Sequence, residues 1–444
     1  MGHACHRNQT AEVTIQKIQT GGTMYTKIFD DIISITHNDY SGHLDKKGWD
    51  DPGKYRDRIK RMEAEDVLDA VTFQEIVEDY LLDFKDRHMY FRVKDNGKLN
   101  TYHNGFNTRR FNDKLHVTEV TDEACLEIGD ALLSLDGTPI RVLIEKHERE
   151  LFELVAEREN WKPIIQRYSS CEVESRDGTV KTMELKQYAN QNRKPEFKVD
   201  RLNDGVLFMS LPSFGDVKAV EVMLEEYQEQ LETAGKLIID VRGNGGGSDL
   251  AFRNLLPYLF PEGETSIPLE DSIQESNCTR RNVELTAKVF GQFLENIDDE
   301  TVKTNLNKYV EDMAKNVGQG FKILEDESPA INIQGKALPE KVVALSDVGC
   351  ASASEALIEF CKESPKAAVI GRPTAGVNDY SNLVFEEWEN LFELWYPTSR
   401  MAGMNEKADG EAASIIHPDI HIPWTPTHIT RDVDLEKALE VLQT

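Results

Sequence analysis

KLIIDVRGNGGG, residues 236–247, runs from an unbroken apolar segment straight into a loop with four glycines in five positions. A short apolar run bounded by a glycine-rich turn reads as a strand buried on both faces, as in sheets covered by helices. Upstream, VLFMSL (206–211) has the same character and leads into an amphipathic helix over VKAVEVMLEEYQEQLETAG (217–235). Downstream, KVVALS (341–346) reads as a strand, SASEALIEFCKES (352–364) as a helix and AAVI (367–370) as a strand. IHPDIHIP (416–423) reads as a final strand before a terminal helix. Strands alternating with amphipathic helices predict an α/β core from about residue 196 to 444.

Other periods govern the chain ahead of this core. Ile28, Phe29, Ile32 and Ile35 share one helical face, and Phe73, Ile76, Val77, Tyr80, Leu81 and Phe84 repeat the spacing more strongly. The polar HNDYSGHLDKKGWDDPG (37–53) between them reads as a connector. In HMYFRV (88–93) the period drops to two: Met89, Phe91 and Val93 alternate with His88, Tyr90 and Arg92. His88 is thereby placed at the start of a half-buried strand, on its polar face. From about 96 to 195 short strands and polar turns follow, the clearest being ALLSL (131–135), bracketed by Gly129-Asp130 and Asp136-Gly137. A chain of 444 residues exceeds one compact core. The expected organisation is a mixed α+β multidomain chain: a helical region 1–95, a β-rich module 96–195 and the α/β core 196–444.

Charge excludes some function classes. With 51 basic and 79 acidic residues the formal net charge is −28, the wrong sign for nucleic acid or an anionic membrane surface. No run of 18 apolar residues predicts a spanning helix, and MGHACHRNQTAEV lacks the apolar stretch of a secretory signal. Six scattered cysteines without C-x-x-C pairing read as free thiols of a reducing compartment, so a cytoplasmic protein is expected. His417 and His421 do not read as a metal pair, since positions i and i+4 of a strand lie about 13 Å apart. No metal or organic cofactor is expected.

Three segments bear on chemistry: LIIDVRGNGGG (237–247), GCASASEALIEF (349–360) and VIGRPTAGV (369–377). Ser352 precedes a helix and is followed by Glu355 at the capping-box spacing, so it reads first as an N-cap. The same position suits acyl transfer, because the Ala353 N–H and the helix dipole face developing negative charge. The glycines fit neither phosphate-binding spacing. In order and spacing, these segments together with SLPSFGD and the terminal IHPDIHIPWTPTHITRDVDLEKALEVL resemble the C-terminal-processing (tail-specific) serine peptidase family, over about residues 196–444. The resemblance implies a crotonase-like α/β peptidase core, a PDZ-like module around ALLSL and a polypeptide or peptide substrate.

By the same resemblance Ser352 is the nucleophile, with Ser354 as a neighbouring competitor, and the oxyanion hole is Gly246 with Ala353, or Gly247 in place of Gly246. Many relatives pair the serine with a lysine, but the matching position here is Val377, which cannot accept a proton. The other branch, similar to the tricorn core, uses a histidine oriented by a glutamate, and DFKDRHMYF resembles its histidine segment. That implies His88 as base and Glu411 as the orienting carboxylate, with Asp409 and Glu406 as rivals. The module lacks a clear carboxylate-binding loop near residues 96–120, which leaves recognition of free C-termini in doubt. Two other classes compete: a catalytically inactive relative binding a peptide or apolar ligand on the same fold, and a regulatory PDZ-type interaction protein, which leaves the GNGGG and SASE segments unexplained.

Overall fold

Leu237 and Ile239 point to one side of their strand and Ile238 to the other, and each side meets its own apolar core. The strand Lys341–Ser346 repeats the arrangement, with Val342 and Ala344 on one face and Val343 and Leu345 on the other. This two-sided burial is why both segments are continuously apolar. The computed structural model describes residues 24–94, 102–151, 155–189, 194–202, 205–268, 273–295, 299–324, 330–403 and 414–443.

The core sheet runs in the order Lys198–Arg201, Val206–Ser210, Lys236–Asp240, Lys341–Ser346, Ala367–Gly371, Ile420–His421. Its first pair is antiparallel and the others parallel. The helices Val217–Glu226 and Ala353–Glu363 cover one face, and the terminal helix Val433–Gln443 covers the other through Ala438 and Leu442. The loops after Asp240, Ser346 and Gly371 therefore leave the sheet side by side, at the carboxyl ends of adjacent parallel strands. Ligand sites of open α/β sheets form at such an edge.

A second, antiparallel sheet packs the long hairpin Tyr380–Trp388 and Phe392–Met401 with Tyr90–Val93, Gln274–Asn277 and Phe321–Ile323. The helices Met24–Ser34 and Ala70–Leu81 bury Phe29, Phe73 and Tyr80 against Phe91, Phe392 and Tyr396 of this sheet. The third sheet has ALLSL (Ala131–Leu135) at its centre, paired on both edges, over its own core around Trp161. The molecule is a mixed α/β multidomain fold.

Several expectations change in detail. The helix expected over 217–235 breaks at Tyr227 into Val217–Glu226 and Gln228–Thr233. IHPDIHIP contributes only the two-residue strand Ile420–His421. His88 lies ahead of its strand, in the turn leading to Tyr90, and is buried. The polar segment 37–53 is no exposed connector: Tyr40, Ser41 and Lys46 lie inside the protein, and its end starts the helix Pro52–Ala64. Among the described helices, none is long and apolar enough to cross a membrane.

Candidate active site

Ser352 stands between the strand Lys341–Ser346 and the helix Ala353–Glu363, with φ +55° and ψ −121°. A non-glycine residue rarely adopts positive φ, and such strain, of order 1–3 kcal/mol, is characteristic of functional turns. Glu355 accepts the Ser352 N–H at 3.0 Å and donates its own N–H to the Ser352 carbonyl at 2.8 Å, and the two residues stand in capping-box geometry, so Ser352 closes the helix N-terminus as well as occupying a strained turn. Ser354 differs: its buried hydroxyl donates to the carbonyls of Asn244 (2.6 Å) and Ala351 (2.9 Å) and is a structural group.

Gly246 lies directly against this turn. A Cβ there would stand 2.6 Å from the Ala351 carbonyl oxygen and 2.7 Å from the Ser352 Cβ, and its φ is +96°, so only glycine fits. The Gly246 N–H is donated to Asn244 Oδ1 at 2.8 Å. Ala353, the first residue of its helix, has an N–H without an intrahelical acceptor. Asp347 ties the two loops together, accepting the N–H groups of Gly243 (2.7 Å) and Gly349 (2.9 Å) and pairing with Arg109 at 3.0 Å. Burial pushes the Asp347 carboxyl up, but Arg109, the Gly243 amide and Arg372 outweigh it and hold it below the usual range.

The segment after Gly371 grips both halves of the site. Glu355, fully buried, accepts from Thr374 Oγ1 (2.7 Å), the Gly376 N–H (2.5 Å) and the Val377 N–H (3.1 Å), besides Ser352. Asn378 Nδ2 donates to the Ser352 carbonyl at 3.2 Å. Two residues on, the Tyr380 carbonyl accepts from His88 Nδ1 at 2.5 Å. A carbonyl only accepts, so the Nδ1 proton is fixed there and Nε2 keeps its lone pair. The structure thus brings Ser352, Ala353, Gly246 and His88 onto one framework. Glu411, with its rivals Asp409 and Glu406, lies outside the described residues; among those described, the group orienting His88 is a main-chain carbonyl. Val377 is buried and Lys362 pairs with Asp419 at the surface, so neither puts an amine beside Ser352.

Burial pushes the Glu355 carboxyl above its ordinary range, against the four donors that favour its charge. Glu355→Ala leaves those donors unpaired in the interior, at about 1–3 kcal/mol for each one that water cannot reach. Urea unfolding is expected to show a loss on the order of 3 kcal/mol, and an unchanged midpoint would contradict the clamp.

Sequence reasoning missed Glu355 as more than a cap partner, and missed Tyr380 and the buried segment around Lys46. The hairpin was legible in YSNLVFEEW and FELWYPTSRM, short runs rich in aromatic and aliphatic residues on either side of Glu389-Asn390; the signal for Lys46 is non-local and was not.

Residues 205–422 match the model of peptidase family S41. Over most of its length the fold is that of mature CPAF: the complex with lactacystin aligns at 13% identity over 95% of this chain and 97% of that one, TM-score 0.62. Mature CPAF without it aligns at 12% identity over 95% and 96%, TM-score 0.61. The photosystem II D1 C-terminal processing protease aligns at 13% identity over 95% and 97%, TM-score 0.43. No curated protein sequence matches the chain significantly. The class that these likenesses define is that of a mixed α/β fold shared with mature CPAF. The similarity to peptidase family S41 covers residues 205–422, the stretch that holds Gly246, Ser352 and Ala353.

Proposed function

We propose that the protein is an endopeptidase of the histidine-using branch of this family, hydrolysing peptide bonds through an acyl-enzyme on Ser352. The observation that carries the reading is that one stretch, Gly376–Tyr380, holds the Ser352 turn through Glu355 and Asn378 and holds His88 through the Tyr380 carbonyl. His88 Nε2 takes the Ser352 hydroxyl proton as Oγ bonds to the scissile carbonyl carbon, then returns it to the leaving amine as the C–N bond breaks. Water, deprotonated by the same nitrogen, hydrolyses the ester. The Ala353 N–H stabilises the oxyanion. Gly246, or Gly247 beside it, is the second donor; because Asn244 Oδ1 holds the Gly246 amide, that bond has to open, which makes Ala353 the larger contributor. Glu411 is the orienting carboxylate in this reading.

The reading carries the division 1–95, 96–195 and 196–444 with a PDZ-like middle module, and a cytoplasmic, reducing setting in which Cys125, Cys171, Cys278, Cys350 and Cys361 stay reduced. A fluorophosphonate probe tests it, since such probes phosphonylate only activated serines, the P–O bond forming as fluoride leaves. Labelling at Ser352, lost in His88→Ala and kept in Lys362→Ala, is the expected pattern. Labelling lost in Lys362→Ala and kept in His88→Ala would overturn the base assignment.

A further inference from the structure

An amine buried inside a protein costs several kcal/mol unless other groups compensate, so a buried lysine invites the question of what it holds. Lys46 is 7% exposed. Its Nζ donates to Tyr40 Oη at 2.9 Å, lies 3.9 Å from Asp86 Oδ2 and sits 4.3 Å from the centre of the Tyr380 ring. Burial pulls its ammonium below the ordinary lysine range, while Asp86, Asp379 and Asp45 pull the other way.

Three neighbours of Lys46, namely Tyr40, Asp86 and Tyr380, lead to the same imidazole. Tyr40 Oη donates to Asp86 Oδ2 at 2.7 Å, and Asp86 Oδ1 accepts the His88 backbone N–H at 2.9 Å. Tyr380, whose ring faces the ammonium, supplies the carbonyl that takes the His88 Nδ1 proton. The lysine therefore touches both the group that fixes the His88 backbone and the residue that fixes its ring. Its loop has no slack: a Cβ on Gly42 would stand 2.3 Å from Tyr40 Oη, and the Ser41 N–H is tied to the Pro397 carbonyl at 3.0 Å.

We infer that Lys46 is a positioning residue for His88, holding the Asp86–His88 turn and the Tyr380 carbonyl in register so that Nε2 faces the Ser352 turn. This rests on His88 being the base. Lys46 stands apart from the Ser352 turn and acts through Tyr40, Asp86 and Tyr380, so its loss changes turnover rather than substrate binding.

The test uses the full chain, with Lys46→Met to remove the charge at similar volume and Tyr40→Phe to remove only the hydroxyl that links Lys46 to Asp86. Lys46→Met is expected to lower kcat about 100-fold with KM within about 2-fold, the cost of a misplaced base. Tyr40→Phe is expected to lower kcat about 10-fold and to lower Tm while staying folded, since it removes one hydroxyl bonded to Lys46 and Asp86, and it decides the matter if Lys46→Met does not fold. Imidazole nitrogen NMR, with the His88 signal identified by its loss in His88→Ala, reads position independently of activity. The parent shows the Nδ1-protonated tautomer, and the Lys46 or Tyr40 variant shows a mixture. A folded variant with parent-like kcat and tautomer overturns the inference. A parent without turnover, or a fully active His88→Ala, overturns the base reading instead, and the tautomer measurement still decides whether Lys46 holds the ring.

Discussion

Ser352→Ala is expected to abolish peptide hydrolysis, lowering kcat on the order of 10⁵-fold, equivalent to about 7 kcal/mol of lost transition-state stabilisation. The substitution leaves the fold in place, because backbone groups hold the turn: Ser352 N–H to Glu355, Ser352 carbonyl to the Glu355 N–H and to Asn378. A purely structural N-cap predicts the reverse, a loss of about 1 kcal/mol in stability with activity retained. The strained backbone supplies a second signature. At φ +55° alanine keeps the strain and glycine relieves it, so Ser352→Gly is expected to be as inactive as Ser352→Ala but more stable by about 1 kcal/mol. Casein cleavage and urea unfolding measure the two effects. Equal cleavage by parent and Ser352→Ala would remove the serine from the chemistry.

What the sequence reveals divides along physical lines. KLIID and KVVALS are legible because burial on both faces demands unbroken apolar runs, and the glycine loop because backbone approaches the Ser352 turn too closely for any side chain. The helices Arg280–Leu294 and Glu300–Lys315 went unread although Thr279 and Asp299 cap them with side-chain acceptors for their first amides. Those signals are local and were available. The segment 37–53 is a different case. Its composition is that of a surface turn, and Tyr40 and Lys46 within it are buried because they, Asp86 and Tyr380 satisfy one another across more than 300 residues of chain. Periodicity carries no information about such pairings. His88 illustrates both limits: its motif was readable, but its face was inferred from strand alternation that begins only at Tyr90.

His88→Ala is expected to reduce kcat nearly as far as Ser352→Ala, because a serine without a base is a weak nucleophile and members of such a pair act as a unit. The geometry makes the loss specific to imidazole. Nδ1 donates to the Tyr380 carbonyl at 2.5 Å, leaving the Nε2 lone pair as the ring's one proton acceptor. His88→Gln is therefore no substitute, since its amide nitrogen has no lone pair to offer and its oxygen is too weak a base. Glu411→Gln separates the carbonyl from the carboxylate as the orienting group. With Nδ1 already fixed by Tyr380, removing the Glu411 charge is expected to cost about 10-fold in kcat, far less than removing the ring. A loss in Glu411→Gln as large as in His88→Ala would mean that the carboxylate, and not the Tyr380 carbonyl, sets the reacting tautomer. Full activity in His88→Ala with Ser352→Ala inactive would instead place the proton acceptor elsewhere on the framework around Glu355. Fluorophosphonate labelling rates in His88→Ala, His88→Gln and Glu411→Gln distinguish these outcomes, because they report activation of the serine without requiring a bound peptide.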